Sequence, residues 1–292
     1  MTMPAVLEQH EAPGPQAVGA TGRPVRINGA LVAGASILIL MLIASFIVPA
    51  VWHQGPRFAN PIAFSQSPSW AHPFGTDSQG FDVFVRVFYA PRIDLTIAVA
   101  GVAIGTILGV ALGVAAGYAR GFIGSLTLRL ADIIQAFPLL ILALTLVTLA
   151  GNGSINIVWA LVFINTPIML RLTRTSVLAI REQRYIDAAI ALGNPRRRVL
   201  FKHVLPNAIG PVIVQAGVNA GYAIILIAAL AFLGVGIQVP TPEWGSMILL
   251  GSQDITTGQW WTALFPGLAL ALAVVGFNLL ADGVERAREI HR

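Results

Sequence analysis

Residues 186–207, IDAAIALGNPRRRVLFKHVLPN, put four basic residues, a Gly-Asn-Pro break and a second proline between long stretches that carry almost no charge. In the whole 292-residue chain 56% of residues are hydrophobic and 11% charged, against about 25% charged in soluble domains. Such a chain cannot cover itself with polar surface. Outward from this stretch, apolar runs without Asp, Glu, Lys or Arg occupy 208–238 and 262–281 on one side and 30–52, 95–119, 133–151 and 154–170 on the other. A bilayer core needs roughly 20 apolar residues. The pattern predicts an all-α polytopic membrane protein with six transmembrane helices, occupying 30–292 as one domain behind a flexible, cytoplasmic, Pro- and Gly-rich tail at 1–29.

The run 154–170 carries Asn156, Asn165 and Thr166 and is expected to face protein rather than lipid. The first run follows Arg23 and Arg26 like a signal peptide, but it exceeds the roughly 7–15 residues of a signal core and five runs follow, so a retained helix is expected. With six spans both termini share a side. If that side is the cytoplasm, segments 1–29, 120–132, 171–207 and 282–292 hold 15 of the 18 basic residues, leaving Arg57, Arg86 and Arg92 outside. The positive-inside rule thus predicts cytoplasmic termini, an external loop at 53–94 and the opening stretch within a cytoplasmic loop at 171–207. The net charge of +5 is thereby accounted for without nucleic acid. Residues around Val83–Tyr89 are expected to form a short helix along the membrane surface, and Trp244, Trp260 and Trp261 to anchor at the interface.

No catalytic, cofactor-binding or metal-binding residue is predicted. The chain has no cysteine, and its one lysine, Lys202, is flanked by Phe201 and His203, so no phosphate loop of the G-x-x-x-x-G-K-[ST] type exists. The five histidines (His10, His53, His72, His203 and His291) form no H-E-x-x-H or i, i+4 pair and are expected to be solvated or interfacial. The six runs hold no acidic or basic side chain, with Asp132 and Asp282 at their edges, which argues against a self-sufficient ion-coupled carrier. Polar residues inside the runs, Gln135, Asn165, Gln215, Asn219 and Asn278, either hydrogen-bond between helices or line a path; Gln215, Asn219 and Asn278 are the path candidates. Gly105, Gly109, Gly113 and Gly117 make a stripe against which another helix can pack.

Within the basic stretch, 171–192 reads as a helix ended by Gly193. Asn194 and Pro195 read as N-cap and first residue of a second helix, which Leu205-Pro206 ends. Ile186, Ala189, Ile190 and Leu192 form an apolar shelf. Arg196, Arg197 and Arg198 in a first turn oppose the helix dipole at roughly 0.3–1 kcal/mol each, and call for an acidic neighbour, either lipid headgroups or a docked protein.

Asp187-Ala188-Ala189, three residues, Gly193, nine residues, then His203-Val204-Leu205-Pro206 resembles the E-A-A-x-x-x-G-x9-I-x-L-P signature of bacterial ABC importer permeases. Asp187 stands for the usual glutamate and His203 for the isoleucine. Gly75-Thr76-Asp77, Gly80, Asp82-Val83 and Arg86 are similar to the G-T-D-x-x-G-R-D-V-x-x-R segment of the dipeptide, oligopeptide and nickel C-type permeases. Leu230–Gly234, Gln238 and Pro240–Gly245 match that group's A-L-S-F-L-G…Q-x-P-x-P-x-W-G run. Phe81 replaces an arginine of the pattern, and Pro91 in the turn before the second span is a further departure.

The resemblance spans about 30–290. It implies a type I permease that docks an ATPase through Asp187, Ala188, Ala189, Gly193, Pro195, Leu205 and Pro206. It implies as partners a companion permease forming a heterodimer, two ATP-binding subunits or one fused pair carrying ATP and magnesium, an external peptide-binding protein, a peptide substrate and membrane lipid. A nickel or metal-chelate importer of the same group and, in another class, a membrane scaffold with a basic partner-binding loop remain open alternatives.

Overall fold

The computed structural model describes residues 28–118 and 122–289. The expected tail lies outside them except for Asn28 and Gly29, which begin α1 (Gly29–Val51): the Asn28 side chain accepts from the Ala30 amide at 3.2 Å and caps the helix. Four further helices are long and apolar enough to cross a membrane: α3 (Pro91–Tyr118), α6 (Ser154–Arg181), α9 (Leu205–Phe232) and α11 (Trp261–Glu289). The run 133–151 is not one straight helix. It holds the end of α4 (Phe122–Gln135), a break, and α5 (Leu139–Ala150), with the two axes 90° apart. Pro138 causes the break: it lacks an N–H, and its ring drives Phe137 away from helical dihedrals. Counted together, the bent pair brings the number of crossings to six.

The topology follows from a few polar ties. Asn28 Nδ2 donates to the Gly283 carbonyl at 2.8 Å, so the start of α1 and the end of α11 share one end of the bundle. Arg181 donates to the Gly117 carbonyl and Tyr118 to the Arg196 carbonyl, at 3.2 and 3.1 Å, placing the ends of α3 and α6 there too. This is the basic end. At the opposite end, Trp52 Nε1 reaches Asp82 at 2.9 Å and the Gly236 amide reaches Asn152 at 3.1 Å.

Helices α3 and α6 form the most extensive pair. All four stripe glycines face α6, where an added Cβ at Gly105, Gly113 or Gly117 would sit 2.6–3.0 Å from Asn165, Leu170 or Val177 atoms. The stripe therefore serves close helix approach, since no side chain could stand between these backbones. Gly34 plays the same part between α1 and α11, where its Cβ would lie 2.5 Å from the Leu280 amide nitrogen. The apolar core is shared by α3, α5, α6, α9 and α11, with Trp244 closing it at one end. Of the five long helices α6 is the most buried, matching the expectation for its polar residues.

Several expectations change. Helix α2 (Val83–Tyr89) exists but does not lie on a surface; it runs through helical Ala90 into α3, and Val83, Val85, Arg86 and Val87 are buried. Pro91 is the first residue of α3, and the Val87 carbonyl that its missing N–H leaves free accepts instead from Trp244 Nε1. Helix α9 stops at Phe232, short of 238, because Gly234 adopts φ +78° and the Val235 amide turns back to the Leu230 carbonyl at 3.0 Å. Trp244 and Trp261 are buried rather than interfacial, donating to the Val87 and Thr76 carbonyls at 3.1 Å each; Trp260 alone of the three is exposed.

Candidate functional site

The basic end carries the element read from residues 171–207. One predicted helix is two: α6 ends at Arg181, and after Glu182-Gln183 the chain restarts as α7 (Arg184–Ala191). Gly193, at φ +80°, closes α7, with its amide on the Ile190 carbonyl at 2.9 Å and the Asn194 amide on the Ala189 carbonyl at 3.4 Å. Asn194 does not cap the next helix. Its Nδ2 donates back to Ala189 O at 2.9 Å, and extended Pro195 takes the N-cap position of α8 (Arg196–Val199).

Leu205-Pro206 does not end that helix either. The chain passes from α8 through a π-turn at Leu200–Val204 into α9, with Pro206 in the first turn of α9. A proline cannot donate to the carbonyl four residues back, and the widened turn, in which the Leu205 amide bonds Leu200 O, absorbs that loss.

The expected apolar shelf splits in two. Ile186 and Ala189 turn inward onto Val177, Val199, Val204 and Ala208. Asp187, Ala188, Ile190, Leu192, Gly193 and Pro195 remain on the surface, with Leu192 83% exposed. Arg196, Arg197 and Arg198 are also exposed, and Arg198 reaches Asn194 Oδ1 at 3.4 Å. This end thus presents small and apolar side chains beside a carboxylate and a cluster of cations.

At the other end, the external-loop motif is a lock. Gly75, at φ +71°, leaves no room for a side chain, since its Cβ would stand 2.5 Å from Trp261 Nε1. Thr76 is buried, and its Oγ1 accepts from the Gln66 amide at 2.8 Å. Asp77 Oδ1 accepts from the Gln79 and Phe81 amides at 2.9 Å; burial raises its carboxyl above the ordinary range, opposed by the Phe81 amide and Arg86. Gly80, at φ +81°, packs against the Asn60 carbonyl. Asp82 caps α2 through the Phe84 amide at 2.9 Å. Arg86, fully inside, donates to Pro56 O and Pro240 O at 3.3 and 3.1 Å with its guanidinium 4.2 Å above the Phe81 ring. Phe81 therefore replaces the pattern's arginine with a ring that seats Arg86.

The second motif seats α10 (Trp244–Asp254). Glu243 accepts from the Gly245 and Ser246 amides at 2.7 and 2.6 Å, and burial pushes its pKa up to about 7 against the lowering by those amides. Asp94 accepts from the Trp244 amide at 3.1 Å. A carboxylate pair this deep was unreadable because Asp94 and Glu243 lie far apart in the chain.

Between the ends, Asn165 Nδ2 donates to Val102 O and Thr106 Oγ1 at 3.1 and 3.3 Å, and its Oδ1 accepts from Asn219. Asn219 Oδ1 in turn accepts from Gln215 Nε2 at 2.8 Å. A polar ladder thus crosses α3, α6 and α9, half-buried at Gln215 and Asn219. Asn278 is apart from it, exposed on α11. A separate cavity of about 650 Å³ between α3, α4, α5 and α6 is lined by Leu112, Leu130, Trp159, Phe163 and similar side chains; such a lining suits a hydrocarbon chain or another helix, not a zwitterion.

Residues 109–289 match the family model described as binding-protein-dependent transport system inner membrane component. The chain is 38% identical over 265 residues to the dipeptide transport system permease protein DppC of Alkalihalophilus pseudofirmus, covering 91% of this chain and 87% of that one. It is 39% identical over 262 residues to the glutathione transport system permease protein GsiD of Salmonella paratyphi A, covering 90% and 86%. Against the probable D,D-dipeptide transport system permease protein DdpC of Escherichia coli it is 35% identical over 263 residues, covering 90% and 86%.

Proposed function

The chain belongs to the family of binding-protein-dependent transport system inner membrane components, and from that premise we propose that it is the transmembrane permease subunit of an ATP-driven importer of dipeptides or oligopeptides. It is a multi-pass membrane transport component, not an enzyme. The names of its relatives support peptides as the substrate class. In this reading the companion permease completes a heterodimer, an external binding protein delivers peptide, and ATP with magnesium is held and hydrolysed by two ATP-binding subunits or one fused pair.

The observation that carries the proposal is the exposed face of α7. Ala188 presents almost no side chain, Asp187 adds a carboxylate, and Ile190 and Leu192 supply apolar surface that water does not favour leaving bare. The inward face, Ile186 and Ala189, is bolted to the ends of α6 and α9. A partner that seats on the outer face therefore pushes on two membrane helices at once. Closure of the ATPases moves α7, and the bundle rocks between inward- and outward-facing states. Half-buried Asn219 and Gln215 offer weakly polar groups along a path, suited to peptides of varied side chain, and exposed Asn278 on α11 is a separate candidate.

To test this, Ala188→Arg is introduced into the full transporter, co-expressed with its companion permease and ATP-binding subunits. The bulk of arginine on the outer face should abolish co-purification of the ATP-binding subunits and peptide-stimulated hydrolysis while membrane insertion persists. Unchanged peptide uptake into vesicles would sink the assignment.

A further inference from the structure

We propose that His53, His72 and Asp82 form a binding site for a divalent transition-metal cation of the zinc class. They come from three places in the chain: His53 just beyond α1, His72 in the loop that follows, and Asp82 at the cap of α2. One ligand atom from each lies within 4.8 Å of the other two. Two imidazoles and one carboxylate are a donor set that selects zinc-class ions, because calcium and magnesium prefer all-oxygen shells.

Two of the three ligands are held in advance. Asp82 is 1% exposed; its Oδ1 accepts from the Phe84 amide, and its Oδ2 accepts from Trp52 Nε1 at 2.9 Å. His72 Nδ1 lies 2.9 Å from that same Oδ2. Its backbone is pinned by the Ser69 hydroxyl and by the Ser69 and Gly75 amides, at 3.2, 2.9 and 2.8 Å. His53 is the exposed member, its ring 6.0 Å from that of His72. Ligands of a tetrahedral zinc ion at about 2.0–2.2 Å stand roughly 3.3–3.5 Å apart. Asp82 Oδ2 and His72 Nδ1, 2.9 Å apart in a hydrogen bond, part by about half an ångström to reach that spacing, and exposed His53 completes the set. A solvent molecule takes the fourth position on the exposed side.

The His72–Asp82 pair alone explains why a histidine is tolerated inside the loop, but not a second imidazole beside it. The cation takes the place of the hydrogen bond that joins this pair. Once bound, it joins the exit of α1 to the start of α2 and hence to α3. The site is built from these residues alone and is independent of the transported substrate.

The test uses the full chain carrying a tag without histidines, stripped with chelator and dialysed against zinc chloride at neutral pH, with bound metal counted by elemental analysis. One zinc ion per chain is expected, undisplaced by excess magnesium or calcium, with affinity lowered about tenfold or more in His53→Gln and in His72→Gln. Exposed His53 can be replaced without opening the fold, so His53→Gln carries the test if His72→Gln fails to accumulate. Zinc binding that is equal in the wild type and His53→Gln, or absent from the wild type, overturns the proposal.

Discussion

Replacing Gly113 by alanine tests whether α3 and α6 are joined backbone to backbone. The added Cβ would stand 2.6 Å from the Leu170 carbonyl oxygen, 2.7 Å from Thr173 Cβ and 3.1 Å from Thr173 Cγ2, where ordinary contact begins near 3.4 Å. The carbonyl cannot rotate away while it serves its own helix, so the two axes must part by roughly 1 Å at this level, an overpacking that costs about 1–3 kcal/mol. Alanine is otherwise the better helix former by about 1 kcal/mol, which sets the control. Gly267 in α11 has nothing within 4 Å of its added Cβ, so Gly267→Ala should leave the melting temperature of the detergent-solubilised chain level or raise it. Gly113→Ala should lower it, and Gly113→Val should lower it further. A Gly113→Ala chain that melts at or above the wild type would refute the close-approach reasoning.

Two other perturbations separate causes that look alike. Gly193 has open space around its Cβ but a left-handed backbone, so Ala and Leu there should cost the same, about 1–2 kcal/mol, and Asn less; a melting loss that grows with side-chain size would contradict this. For Glu243, raised to about 7 from its ordinary 4.5 by burial, the folded state holds a proton that the unfolded state has already lost. The contribution of Glu243 to stability is therefore fully present below about pH 4.5 and is lost as pH rises through about 7, a change on the order of 3 kcal/mol. Melting curves across that window should show the slope in the wild type and a flattened one in Glu243→Gln, which keeps one acceptor for the α10 cap; an equal slope in both chains sinks the assignment to Glu243.

Helix number and the basic element were legible because lipid demands long apolar runs and because glycine and proline break helices by backbone chemistry alone. Elsewhere hydropathy and backbone chemistry disagree, and backbone chemistry decides. Pro138 lies inside the run 133–151 and should have split it. Pro206 reads as a helix stop, whereas a π-turn lets the helix continue. Trp244, Trp261 and His72 read as surface residues by type, yet each is buried with a hydrogen-bond partner: Val87 and Thr76 for the tryptophans, and nearby Asp82 for the histidine. The tryptophan pairings join residues more than a hundred positions apart, and no local pattern carries them. Spacing marks the residues proposed to dock a partner; which of them face outward is set by α7, which turns Ile186 and Ala189 inward.

The glycine stripe makes α3 and α6 a single girder. Helix α3 has 28 residues, about 42 Å at 1.5 Å each, and reaches from the neighbourhood of α7 to the loop lock through α2. A tilt of about 10° imposed at one end of such a rod carries the other end through about 7 Å, more than the width of an extended peptide strand. Because Asp82 and Arg86 fasten that far end to Trp52, Pro56 and Pro240, the swing cannot dissipate in a loose loop. It must be spent moving whole segments on the opposite face of the membrane.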